Sequence, residues 1–294
     1  MKLSQSHFHT IRGLRYHVRT WGEPDRPKLF LLHGWMDVSA SFQFLVDCFE
    51  REWHVIAPDW RGFGLTEWAA GGYWFPDYYA DIEALLDLYE PGAPVHLIGH
   101  SMGGNIAGIY AGLRPERIAK LVTLEGLGLQ RASPEAAPKR LAQWLDHARE
   151  PPRFKLYASY DEVAARLKRN NPRLSGERAD FLARHWAREI EAGQVTLRSD
   201  PRHKAINPYL FRIDEALACW RRISAPVLLA NGRDSPIAAW LKDKPEELAA
   251  RKGAFQDLRE IELDHCGHML HHDQPERLAK ALEAFLGEER LRGR

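Results

Sequence analysis

Long apolar runs are missing from this 294-residue chain. No window reaches the roughly 18 uninterrupted apolar residues of a spanning helix, so none is expected. The opening stretch, MKLSQSHFHT, has neither an apolar core nor a small-residue cleavage site, so no signal peptide is read there. Cysteine is scarce. Cys48, Cys219 and Cys266 are scattered and odd in number, which argues against a disulfide framework and fits a reducing cytoplasm. Charge of one sign is lacking too: 41 Lys+Arg stand against 40 Asp+Glu, a formal net charge of +1. No overall field therefore draws the chain to nucleic acid or to an anionic membrane. Internal repeats and low-complexity tracts are also absent.

What remains is an ordinary globular composition, 45% apolar and 28% charged, at a length that supports one sizeable core with room for an inserted lid. Six short apolar runs recur: KLFLLHG (28–34), HVIAPDW (54–60), PVHLIGH (94–100), IAKLVTLEG (118–126), PVLLANG (226–232) and LREIELD (258–264). Continuous apolar runs of this length suit strands buried on both faces of a parallel sheet. Helical spacing fills the intervals at 76–90, 105–113 and 276–286. The alternation predicts a doubly wound, mostly parallel α/β sheet, with an edge hairpin over 7–21 turning near Gly13.

Alternation stops between residues 129 and 222, which read as several helices with one extended piece, QVTLRSD (194–200). This stretch carries 19 Lys+Arg against 12 Asp+Glu, a formal charge of +7, and leaves −6 on the remainder. The expectation is a core from 1–128 and 223–294 with a basic helical cap, 129–222, inserted between. Arg-rich solvated helices account for such a charge by themselves; selection of acidic substrates is the functional alternative.

Residues 99–104, Gly-His-Ser-Met-Gly-Gly, follow the apolar run PVHLI and precede a helical pattern. A G-x-S-x-G sequence between strand and helix places its serine on a sharp turn above the sheet. Gly99 and Gly103 admit the close backbone approach this turn demands. Ser101 is thus the candidate nucleophile. The N–H of Met102, at a helix N-terminus, is positioned to stabilise an oxyanion. After the last strand comes Asp-His-Cys-Gly-His-Met-Leu (264–270), whose His268 is the candidate general base, with His265 as its rival. His265, Cys266, His268, His271 and His272 lack the ligand spacing of a structural zinc site, so no zinc site is read there, and the chemistry expected of Ser101 and His268 requires neither metal nor cofactor.

Five segments together resemble the α/β-hydrolase family: LLHGW (31–35), APDWRGFGLT (57–66), GHSMGG (99–104), VLLANGRDSPI (227–237) and DHCGHMLHHDQPE (264–276). The resemblance covers nearly the whole chain. It implies a second oxyanion donor at Trp35, the residue after His-Gly. DWRGFG and LLHGW look like segments of small-acyl carboxylesterases, while LEGLG (124–128) and SDPR (199–202) look like the serine-hydrolase-like branch. Asp59 and Arg61 read as loop-holding residues. One position departs from the family pattern. The acid usually follows the strand after the lid, where this chain has Ser235, with Asp234 one residue early. Glu125, ending IAKLVTL, offers another location, which haloalkane dehalogenases of this family use. Glu125 is the favoured acid and Asp234 the alternative.

These residues imply hydrolysis of a carboxylic ester or related acyl bond on a small-molecule substrate, without nucleic acid or membrane as partner. Carbon–carbon bond hydrolysis or acyl transfer could use the same residues. A ligand-binding protein with decayed catalysis is the alternative from another class.

Overall fold

The computed structural model describes residues 1–190 and 193–288. Among the described residues, ten strands form two sheets. In chain order they are β1 (Ser4–Ile11), β2 (Leu14–Trp21), β3 (Lys28–Leu32), β4 (His54–Pro58), β5 (Val95–His100), β6 (Ile118–Leu124), β7 (Ala187–Glu189), β8 (Val195–Leu197), β9 (Val227–Gly232) and β10 (Leu258–Leu263). The main sheet runs β1-β2-β4-β3-β5-β6-β9-β10. The β1–β2 hairpin and the β2–β4 pair are antiparallel, and every later pair is parallel. The expected edge hairpin is present, turning through Arg12 and Gly13, both at positive φ.

The period-two geometry of a strand splits each apolar run between two cores. Phe30 and Leu32, with Leu121, Val227 and Leu229, enter one cluster. Leu29 and Leu31, with Val122, Leu228 and Ala230, enter the other. The first is closed by α2 (Phe75–Tyr89), α3 (Met102–Leu113) and α7 (Ile213–Trp220). The second is closed by α1 (Gln43–Asp47), α10 (Leu270–Asp273) and α11 (Pro275–Gly287). The parallel strands read as unbroken apolar runs because helices cover both of their faces. Among the described residues no helix is long and apolar enough to cross a membrane.

Between β6 and β9 the chain builds α4 (Ala137–Arg149), α5 (Tyr160–Asn170), α6 (Gly176–Trp186) and the two-stranded β7–β8 ribbon. The hydroxyls of Ser159 and Ser175 accept N–H bonds from Glu162 and Arg178, capping α5 and α6. The helices α5 and α6 and the ribbon share a small core of Tyr157, Val163, Leu167, Leu182, Val195 and Leu197, separate from the two beneath, to which α4 adds no buried residue. A backbone stitch ties them to the main body: Gly64 N–H donates to Arg198 O at 2.7 Å and Asp200 N–H to Gly62 O at 2.8 Å.

The helix α7 belongs with the lower layer. Ile213, Ala216, Leu217 and Trp220 lie in the core beside α3, so the helical layer of the core takes in this part of the 129–222 stretch that sequence assigned to the cap. Gly112 permits the contact. A Cβ there would meet the Cys219 carbonyl oxygen at 2.1 Å, closer than any real contact. Gly112→Ala is therefore expected to destabilise the chain by about 1–3 kcal/mol, the usual cost of overpacking. Gly176→Ala, where a Cβ meets open space, should be nearly neutral. Urea unfolding of both variants checks this, and equal midpoints would contradict the α3–α7 packing.

Candidate active site

The site assembles at the carboxyl ends of the parallel strands, where loops leave the sheet. Ser101 stands between β5 and α3 with φ 50° and ψ −113°. Its N–H donates to Leu124 O at 2.8 Å and its carbonyl accepts from Asn105 N at 3.0 Å, so the turn is fixed to β6 on one side and to α3 on the other. Both glycines predicted to permit the turn do so. A Cβ on Gly99 would lie 2.3 Å from Gly103 O, and one on Gly103 would lie 2.2 Å from Leu32 O.

Glu125 lies one residue beyond β6, also left-handed at φ 58°. It is 4% exposed. Its N–H donates to Ala230 O at 3.0 Å, carrying the ladder one step past the strand. Its Oε1 accepts the Gly232 N–H at 2.6 Å, and its Oε2 accepts the Ser235 hydroxyl at 2.6 Å. The same Oε2 lies 3.5 Å from His268 Nδ1. This is long for a hydrogen bond, as catalytic pairs commonly are before a substrate is bound. With Nδ1 turned to the carboxylate, Nε2 is the nitrogen left to face a reacting group.

His268 is anchored by its backbone: its carbonyl accepts from His100 Nε2 at 2.8 Å. His100, next to Ser101 in the chain, also packs its ring on that of His268 with centroids 4.7 Å apart. Asp234 faces elsewhere. Its carboxylate pairs with Arg173 at 2.7 Å, and the side chain is 43% exposed. The rival His265 is exposed.

The loop after β3 comes against the same turn. A Cβ on Gly34 would stand 3.3 Å from the Cβ of Ser101, and Met36 in this loop is left-handed at φ 59°. Trp35, half exposed, donates its indole N–H to His203 O at 3.2 Å. Trp35 and Met102 line one end of a cleft of about 650 Å³, with Tyr73, Trp74, Trp144 and Tyr209 among its other walls. Trp74, Phe75, Asn207 and Tyr209 also line a neighbouring apolar groove of about 500 Å³, which runs along Ile109 and Leu113 of α3.

Asp59 and Arg61 hold loops, as their sequence context suggested. Asp59 accepts from Ser39 N, Leu65 N and His17 Nδ1, and Arg61 makes a two-point pair with the buried Asp81. Sequence reasoning did not find the tie between the 199–205 segment and the loop after β4. Tyr73 OH and the Arg202 guanidinium both donate to Asp200, while His203 stacks between Phe63 and Tyr73 at 3.8 and 3.6 Å. The SDPR segment was visible; nothing in it named Tyr73 as partner. Arg251, fully buried, was missed as well. It donates to the carbonyls of Leu127 and Leu129 and so holds the loop that begins at Glu125.

The family model described as alpha/beta hydrolase fold matches residues 27–275. Among curated proteins, the chain is 28% identical over 277 residues to a serine hydrolase-like protein of Danio rerio, covering 91% of this chain and 84% of that one. It is 26% identical over 292 residues to a 3-hydroxybutyrate-oligomer hydrolase of Cupriavidus necator, covering 94% of each. Among solved structures, the thioesterase domain from the curacin biosynthetic pathway superposes with a TM-score of 0.85 at 24% identity, covering 96% of this chain and 99% of that one, a likeness of fold.

Buried imidazoles surround the strand ends. Burial pushes His100 and His272 well below the ordinary histidine range, His33 below it, and His203 down to about 3. Burial would raise Asp59, but the hydrogen bond and charge of His17 outweigh it and hold this carboxyl below its usual range. A histidine whose folded pKa is depressed binds its proton more readily unfolded. Its stabilising contribution is therefore intact above the unfolded pKa of about 6.5 and declines as pH falls. Each such histidine removes up to about 1.4 kcal/mol per pH unit through that range. The melting temperature is accordingly expected to fall steadily between pH 7 and pH 5. A flat profile across that interval would mean that these rings are protonated in the folded chain.

Proposed function

The chain belongs to the alpha/beta hydrolase fold family, and within it we propose a serine hydrolase that cleaves a carboxylic ester or related acyl bond through an acyl-enzyme intermediate. The observation that carries this reading is the Glu125 carboxylate. It is held by the Gly232 N–H and the Ser235 hydroxyl and directed at His268 Nδ1. A buried carboxylate with two fixed donors and an imidazole in reach is what the orienting member of a triad requires.

In this mechanism Ser101 Oγ attacks the substrate carbonyl carbon as His268 Nε2 takes the hydroxyl proton. Glu125 keeps His268 in the tautomer with its proton on Nδ1 and stabilises the imidazolium that forms. The N–H groups of Trp35 and Met102 receive the oxyanion, the latter aided by the N-terminal dipole of α3. His268 returns its proton to the departing alcohol. Water, deprotonated by the same imidazole, then attacks the acyl carbon and frees Ser101. No step draws on a metal or cofactor. The likeness to a relative named as a hydrolase of 3-hydroxybutyrate oligomers supports ester chemistry. The cleft beside Trp35 and Met102, continued by the apolar groove along α3, suits a substrate with an extended apolar acyl part.

Ser101→Ala is expected to abolish turnover of p-nitrophenyl esters and labelling by a fluorophosphonate probe, with an unchanged melting curve. Activity within tenfold of the parent chain would overturn the assignment of the nucleophile. Glu125→Gln, which keeps volume, should lower turnover by roughly 10³ to 10⁴, since a mis-tautomerised histidine costs about that much in a well-studied triad. Asp234→Asn should lose tenfold at most, on the order expected of an exposed turn carboxylate. The opposite ranking in steady-state kinetics would return the acid to the loop after β9.

A further inference from the structure

Next to Ser101 lies a closed set of donor atoms that the hydrolytic reading does not use. Asp37, from the loop after β3, His100, at the end of β5, and His271, in α10, each bring one donor atom to within 4.8 Å of the others. All three are buried, at 2%, 2% and 0% exposed. Two of their atoms, Nδ1 of His100 and Nδ1 of His271, have no hydrogen-bond partner.

The protonation pattern follows from the neighbours. His100 Nε2 faces the carbonyl of His268. A carbonyl oxygen only accepts, so this nitrogen carries the proton, and Nδ1 of the neutral ring is a bare lone pair. An unpaired lone pair at this depth has lost its water and gained nothing in return. Gly34 leaves space beside it, since a Cβ there would stand 2.9 Å from that nitrogen. His271 Nε2 lies 3.0 Å from Ser41 Oγ and 3.7 Å from Asp37 Oδ2, while the Ser41 hydroxyl donates to Asp37 at 2.8 Å. His272 Nε2 meets the same hydroxyl oxygen at 2.6 Å.

We propose that Asp37, His100 and His271 bind one divalent transition-metal ion of the zinc class, with Ser41 or a water completing the coordination. Two imidazole nitrogens and one carboxylate form a donor set that zinc and cobalt(II) accept, and that the hard, oxygen-seeking magnesium and calcium ions do not favour. Metal–ligand bonds of about 2.0–2.2 Å hold tetrahedral donors some 3.3–3.6 Å apart, so the cluster must contract by about an ångström around the ion. The segment 265–272 alone was rejected as a zinc site on its spacing, and of its residues only His271 takes part. The other two ligands come from segments more than a hundred residues distant in sequence. The ion would also fix His100, and through the His268 carbonyl the loop that carries the proposed general base. The inference stands on the donor cluster and not on the hydrolytic reading.

The test is titration of the full, chelator-treated chain with Co²⁺, followed by visible absorption, and with Zn²⁺, followed by calorimetry. One ion per chain is expected, with a nitrogen–oxygen ligand-field spectrum. Affinity should fall by about tenfold or more in His271→Gln and Asp37→Asn and should be unchanged in the exposed-histidine control His265→Ala. Because both ligand variants alter buried residues, ¹⁵N-histidine spectra of the unaltered chain with Zn²⁺ provide an independent measure. Two buried imidazoles should shift. Absence of a saturable cobalt spectrum, a thiolate charge-transfer band, undiminished binding by folded His271→Gln, or shifts confined to exposed histidines would each overturn the proposal.

Discussion

A backbone constraint organises the whole site. Six loops leave the carboxyl ends of the parallel strands, and four of them pass through a non-glycine residue in the left-handed region: Met36, Ser101, Glu125 and His265. Such a conformation costs on the order of 1–3 kcal/mol and persists only where the surroundings over-determine it. Here the sheet itself does so. Ser101 N–H is held by Leu124 O and Glu125 N–H by Ala230 O, so these two left-handed residues are each the last rung of a ladder as well as the first residue beyond their strand. Sharp exits from adjacent strands bring serine, carboxylate and imidazole loops together without long excursions of chain.

Much of this was legible beforehand. The parallel strands announced themselves because double burial leaves no polar alternation to confuse, and the glycines around Ser101 because a sharp strand-to-helix turn tolerates little else there. Sequence argued that a lone carboxylate ending an apolar strand needs a partner to survive burial, and Glu125 is indeed buried with the Gly232 N–H and the Ser235 hydroxyl as donors. What stayed hidden was contact between distant segments. The β7 strand has only three residues, too few for periodicity to register. Placement of α7 in the core depended on Gly112 lying against Cys219, and the clustering of Asp37, His100 and His271 on three separate crossovers of the chain. Residue patterns report which face of an element is buried; they do not report which buried faces meet.

The 199–205 segment and the loop after β3 are mechanically joined. Trp35 lies beside Gly34 on the loop that packs against Ser101, and its indole is bonded to the carbonyl of His203. His203 in turn is clamped between two rings of the core, one of them Tyr73, whose hydroxyl is held by Asp200. Movement of the 199–205 segment cannot leave the β3 loop undisturbed. Access to the cleft and the geometry of its proposed oxyanion donors are thereby made a single variable.

The hydroxyl of Ser235, 2.6 Å from Glu125, sets how much charge this corner of the molecule holds. It brings the loop after β9 to the same carboxylate that the end of β6 turns toward His268. Two carboxylates at that separation could not both ionise, because each raises the proton affinity of the other. A carboxylate in place of Ser235 would therefore leave one member of such a pair protonated. Serine supplies the hydrogen bond without a second charge, so the buried carboxylate of Glu125 is left with a donor in place of a rival.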